Sequence, residues 1–172
     1  MNDKNPAKTD GGTPLHLAAQ NGHFEICKLI INNVDDKNPA KHNRVTPLFN
    51  AAKKGHSENF KLIFEILGNN YICPEADGGY TPFHTAAFNG HLNICKIILQ
   101  VDDKNPAMDN GWTPLHFSAR YGHLEVFKFI SENVSDKNPK TNDGLTPQEL
   151  AHKWEYDFLI HATTAKLHMD EN

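Results

Sequence analysis

The apolar positions of this chain recur in pairs of short helical patterns. In one copy Leu115, Ser118 and Ala119 fall at i, i+3 and i+4, and beyond Gly122 a second apolar face follows in Val126, Phe129 and Ile130. An earlier copy reads the same way, with Leu15, Ala18 and Ala19, then Gly22, then Ile26, Leu29 and Ile30. Each pattern opens on Thr-Pro, at 13, 46, 81, 113 and 146, so a threonine able to cap the helix precedes a proline at the first helical position, where its missing N–H costs nothing. In four of the copies a glycine then ends the first helix, because it tolerates left-handed backbone. Helices this short fall below the roughly 12–15 residues at which an isolated helix becomes even marginal in water. Their stability must come from packing on neighbouring copies.

The Thr-Pro steps are 33, 35, 32 and 33 residues. With Thr-Pro-Leu-His at 13–16 and 113–116, Thr-Pro-Phe-His at 81–84 and Gly-His at 22–23, 55–56, 90–91 and 122–123, nearly the whole chain resembles the ankyrin repeat. The resemblance implies an all-α fold, an ankyrin-repeat solenoid of helix-turn-helix units joined by β-hairpin-like loops. One elongated domain over residues 1–172 is expected, with units at about 6–38, 39–73, 74–105 and 106–138 and a C-terminal capping unit at 139–167. The second helix of that cap is expected at about Tyr156 to Lys166, and residues 168–172 as a frayed tail.

Departures from the repeat are concentrated in the second and fifth copies. Arg44 stands where Gly11, Gly79, Gly111 and Gly144 stand, Phe49 replaces a histidine, and Asn59 takes the place of Ile26. Two extra residues fall within 68–73, marking either drift or a remodelled edge. The fifth copy keeps Gly144-Leu145-Thr146-Pro147, loses the histidine, and is polar enough to cap the array. Asp-Lys-Asn-Pro occurs at 3–6, 36–39, 103–106 and 136–139, its proline seven residues before each threonine, and reads as an extended arm entering a turn. As the chain opens on this tail of a unit, it is expected to be an excerpt from a longer array.

Composition narrows the function more than the fold. No apolar run approaches a membrane span and no signal peptide opens the chain, so a soluble protein without membrane insertion is expected. Seventeen basic against 21 acidic residues give a net charge of −4, without the basic footprint of a nucleic-acid binder. Cys27 and Cys95 occupy one repeated place as small buried hydrophobes, and Cys73, in a loop, is the one candidate for reactivity. Such cysteine usage favours a reducing, cytoplasmic location.

Eleven histidines invite a metal reading, but seven of them, His16, His84, His116, His23, His56, His91 and His123, recur at fixed places in the repeat rather than converging. The resemblance implies that the first three hydrogen-bond the helix start and neighbouring hairpins. No Cys/His cluster has zinc spacing, so no metal or cofactor is expected. Glu25–Lys28, Glu58–Lys61 and Glu125–Lys128 are expected as weak pairs on a solvated face. No nucleophile with its base and no phosphate-cradling loop stands out, so no enzyme is expected.

Copy-to-copy variation is the remaining signal. Gly12, Val45, Tyr80, Trp112 and Leu145 precede the threonines, and Gln20, Lys53, Phe88, Arg120 and Tyr121 lie just ahead of the helix-ending glycines. By the resemblance these are hairpin-tip and inner-helix positions on a concave face where ankyrin proteins bind. Tyr80, Phe88, Trp112, Arg120 and Tyr121, with Lys53 at the rim, are the candidate partner-binding residues, since Tyr, Trp and Arg are enriched at interface hot spots. Lateral packing between hairpins is the competing role for the aromatics. The expectation is a monomeric, non-catalytic scaffold binding a partner protein; the alternatives are a regulatory or targeting segment of a larger enzyme or channel, or a structural spacer.

Overall fold

Residues 6–68, 78–101 and 105–153 are described by the computed structural model. Cys73, most of the irregular 68–73 loop, the second helix expected in the capping unit and the 168–172 tail lie outside them. Among the described residues are nine helices and no sheet: α1 (Pro14–Gln20), α2 (Phe24–Ile31), α3 (Pro47–Lys54), α4 (Ser57–Leu67), α5 (Pro82–Phe88), α6 (Leu92–Leu99), α7 (Pro114–Arg120), α8 (Leu124–Asn133) and α9 (Pro147–Lys153). They fall into two compact units, one running to Thr85 and the other beginning at Ala86. In the first, α1 packs on α2 and α3, and α4 on α3 and α2; in the second, α7 packs on α8 and α9, and α6 on α8.

The first helix of each copy starts on its threonine. The backbone N–H of Thr13 donates to Nδ1 of His16 at 3.1 Å, and that of Thr113 to Nδ1 of His116 at the same distance. An Nδ1 that accepts leaves the proton on Nε2, which donates to the next hairpin, at Val45 O and Leu145 O respectively, both 3.1 Å. One imidazole therefore caps a helix and ties it to the following loop. Burial holds both rings below the ordinary histidine pKa, so they are kept neutral. In α3 Phe49 removes the reach-back, and Thr46 Oγ1 accepts from Phe49 N alone, at 3.2 Å. In α9 Glu149 restores it: its Oε2 accepts from Thr146 N at 2.7 Å, a capping box of the ordinary carboxylate kind.

The Gly-His pairs lock successive repeats. Gly22 and Gly90 adopt φ of 73° and 75°, and a Cβ on either would come within 2.7 Å of Nδ1 of His56 or His123. Those two rings donate from Nε2 to Gln20 O at 3.1 Å and Phe88 O at 2.9 Å, satisfying carbonyls at the end of the preceding first helix.

Asp-Lys-Asn-Pro has a task for each polar residue. Asp36 Oδ1 accepts from Asn38 N at 3.0 Å, closing an Asx turn, and Asp136 repeats this with Asn138. The Lys37 ammonium donates to the carbonyls of Ile31 and Val34, at the end of α2. Asn38 Oδ1 accepts from Leu48 N at 3.0 Å, at the start of α3. The motif thus closes one helix and opens the next.

The hairpin-like loops are real but short. Lys41 N donates to Val45 O at 2.9 Å and Arg44 N to Lys41 O at 2.9 Å; Met108–Trp112 and Thr141–Leu145 make the same pattern. Adjacent loops join through His42 N to Asp10 O at 3.1 Å and Asn142 N to Asn110 O at 3.0 Å. Each turn closes on a left-handed residue, with φ of 81° at Gly11, 79° at Gly111 and 78° at Gly144. Arg44 holds the same conformation at φ 61°, and a side chain there costs about 1 kcal/mol relative to glycine.

Burial corrects the expected core in two helices. In α8 Val126 and Ile130 are buried as the periodicity predicts, but Phe129 is half-buried and Phe127 is the buried ring; in α2 the buried residues are Cys27 and Ile31, while Ile26 is 50% and Leu29 66% exposed. The residues at the place of Ile26 in the next two copies, Asn59 and Ile94, are buried. No described helix covers that side of α2, and Leu17, 45% exposed, belongs to the same bare flank. In the next copy Asn50 Nδ2 donates to His16 O at 3.2 Å and Asn59 Nδ2 to Cys27 Sγ at 3.0 Å, so this face is where one copy keys onto another. The expected Glu–Lys pairs also fail: among the described residues none of the three closes, and Lys61 reaches Glu65, at i+4, to 3.8 Å instead.

Candidate protein-binding surface

Trp112 ends the hairpin that precedes α7, Arg120 and Tyr121 end α7, and Phe88 ends α5, so four of the candidate residues lie in the second compact unit. The structure brings these four together. Phe88 and Tyr121 meet with ring centroids 4.3 Å apart, and Phe88 and Phe117 at 6.0 Å. Trp112 lies 5.1 Å from Phe117, and the Arg120 guanidinium sits 5.2 Å from the Trp112 ring and 5.7 Å from that of Tyr121. A guanidinium held between two π-faces is weakly hydrated and pre-oriented, which lowers the cost of presenting it to a carboxylate or a carbonyl. Tyr121 is 39% exposed; Phe88, Trp112 and Arg120 are half-buried.

Phe117 joins the rings of this cluster and was missed by reading only the positions flanking glycine and threonine. A signal existed: Leu17, Asn50, Thr85, Phe117 and Leu150 occupy one place and vary as freely as the candidates do.

Tyr80 and Lys53 lie in the first unit. Tyr80 is half-buried between Phe49, 6.0 Å away, and His84, 5.6 Å away, which is the lateral packing considered as its competing role. Lys53 is exposed at the last turn of α3.

Other chemistry has structural uses. The thiols of Cys27 and Cys95 are free and buried, and burial pushes Cys95 up to about 12 and raises Cys27, so neither is a nucleophile near neutral pH. Among the described residues no three His, Cys, Asp or Glu side chains are grouped to hold a metal. A shallow hollow of about 250 Å³ between α2 and α4 is lined by Phe24, Glu58, Lys61, Leu62 and Glu65, with no nucleophile beside its carboxylates. No described helix is long and apolar enough to cross a membrane.

Paired helices repeated along the chain, locked by Gly-His contacts and joined by short hairpins, define a helical repeat protein whose exposed loops and helix ends differ from copy to copy. The model of "ankyrin repeats (3 copies)" matches residues 1–72 and 61–143, and the chain belongs to the ankyrin repeat family. Ankyrin repeats are generally protein–protein interaction modules and typically non-catalytic. Among curated proteins none matches the chain.

Proposed function

We propose that this chain is a monomeric, non-catalytic scaffold that binds a partner protein through hairpin tips and first-helix ends, with Phe88, Trp112, Arg120 and Tyr121 as its principal contacts. The observation that carries this is the ordered aromatic–arginine cluster itself. Its residues stand at places where the repeat imposes no side chain, yet they assemble around a guanidinium with Tyr121 at the surface. Rings already held by neighbours lose little rotamer freedom on binding, which favours affinity. Lys53 contributes at a rim, and Tyr80 is a contact only through whatever its packing on Phe49 leaves exposed. A cytoplasmic location belongs to the same reading, supported by two free buried thiols.

The test is affinity capture from source lysate with the full chain and with Trp112→Ala, both checked for thermal midpoint. Loss of the captured protein with a retained midpoint supports the reading. Undiminished capture by a folded Trp112→Ala overturns the assignment of the cluster.

A further inference from the structure

One flank of the first copy carries the parts by which copies elsewhere in the molecule are joined. Asn50, His56 and Asn59 all bond to the copy before them, at His16 O, Gln20 O and Cys27 Sγ, so their three places lie on one side of the helix pair. In the first copy those places hold Leu17, His23 and Ile26, with Leu29 one turn beyond Ile26. The place of Ile26 is buried in the next three copies, at Asn59, Ile94 and Val126, and that of Leu29 is half-buried, at Leu62, Ile97 and Phe129. Leu17, Ile26 and Leu29 are instead exposed. The polar part of the joint is open too. His56 and His123 are half-buried and donate to Gln20 O and Phe88 O, whereas His23 is exposed and its ring makes no hydrogen bond among the described residues.

We propose that this flank docks a helix pair of the repeat's own kind, supplied by a partner protein. The joint between the first two copies states what that pair must carry. Its first helix ends on a carbonyl within reach of His23 Nε2, as α1 offers Gln20 O to His56. A left-handed glycine follows, because a Cβ at Gly22 or at Gly90 would stand 2.7 Å from Nδ1 of the locking histidine. Its second helix turns a small apolar residue toward Ile26, as Cys27 meets Asn59. With Leu17 and Ile26 where the second copy has amides, burial of apolar surface drives this joint. None of the three bonds between the first two copies lies in the loop that connects them, so a copy on another chain can make their equivalents. The flank is separate from the aromatic cluster, and neither reading rests on the other.

The test titrates the full chain into a fluorescently labelled synthetic ankyrin array with a polar first copy and an uncapped last copy. The same array closed by a polar capping copy is the control. The open array is expected to bind and the capped one not to bind. Leu29→Glu is expected to weaken binding roughly tenfold or more, through lost apolar burial, and His23→Ala about fivefold, the size of one neutral hydrogen bond. Both side chains are exposed in the free chain, so the thermal midpoint is expected to stay where it is in each variant. Absent binding of the open array, equal binding of the two arrays, or binding unchanged in both variants overturns the docking flank. A single amphipathic helical peptide that binds as tightly as the open array overturns the helix-pair class. Dimerisation of the chain alone in sedimentation, lost in Leu29→Glu, makes the occupant a second copy and overturns the partner. Trp112→Ala is expected to bind the open array like the parent, so failure of the aromatic reading and failure of this one register in different variants.

Discussion

The second and fourth copies of the repeat use one frame and depart from each other almost wherever a side chain is free to differ. The fourth has Gly111 at its turn, His116 capping α7 and tying it to Leu145 O, and an edge of half-buried rings around Arg120 with Tyr121 exposed. The second has Arg44 at the turn, Phe49 in place of the cap, and an exposed edge of lysines. Both fold into the same pair of helices, because the shared elements are backbone-directed: Thr-Pro at the start, the left-handed turn, and a Gly-His lock. The second copy lacks the histidine's tie to the following hairpin and keeps its ties to the preceding copy, where the side-chain amides of Asn50 and Asn59 bond. The frame tolerates loss of one tie when others carry the register, and the side chains it leaves free are where function can vary.

The largest effect expected from breaking this comparison is His116→Ala. It leaves the buried N–H of Thr113 unsatisfied, frees Leu145 O and opens a cavity, together about 3 kcal/mol of stability. Denaturant unfolding checks it, and a midpoint unchanged from the parent would show that the histidine is dispensable in the fourth copy as it is in the second.

A smaller difference separates the two threonines. Thr113→Ala is expected to cost about 1 kcal/mol, the usual loss of an N-cap. Thr46→Ala should cost less, because Thr46 Oγ1 serves only the 3.2 Å bond from Phe49 N and has no histidine partner. Equal losses in the two variants would mean that the histidine adds nothing to the cap.

Acidification is the mildest probe. His16 and His116 have folded pKa values lowered from 6.5 chiefly by burial, so between the lowered value and 6.5 the unfolded chain binds more protons than the folded one. Their contribution is fully present above about 6.5 and is lost as pH falls through the folded values. The thermal midpoint is expected to drop from pH 7 toward pH 5.5, and to drop less in His116→Phe, which places in the fourth copy the residue found in the second. A midpoint flat over that range would contradict neutral buried rings.

Much of the frame was legible before any coordinates, for local reasons. Thr-Pro fixes a helix start through one hydrogen bond and one restricted dihedral, and the recurring glycine marks where the first helix ends. What escaped depends on partners distant in sequence. Periodicity shows that Ile26 and Leu29 share an apolar face, but not whether anything covers it. The i, i+3 spacing of Glu58 and Lys61 did not determine the rotamer that takes Lys61 to Glu65. Lys37 reaches back to α2 and Asn38 forward to α3, a division of labour within Asp-Lys-Asn-Pro that a reading of the motif as an extended arm could not contain. Of the candidate surface, Phe88, Trp112, Arg120 and Tyr121 do meet, whereas Phe117, which packs on Phe88 and Trp112, lies outside the positions beside glycine and threonine that supplied the candidates.

Whether the exposed edge of the fourth copy is a binding surface is tested most directly by titrating the captured partner into the parent and into Tyr121→Ala by calorimetry. Tyr121 is the most exposed ring of the cluster and caps α7 through its backbone rather than its phenol, so its truncation should spare the fold. The expected result is an affinity lower by roughly 2 kcal/mol, about thirtyfold, at an unchanged thermal midpoint. Equal affinity in the two proteins would contradict it and leave the rings with packing as their whole role.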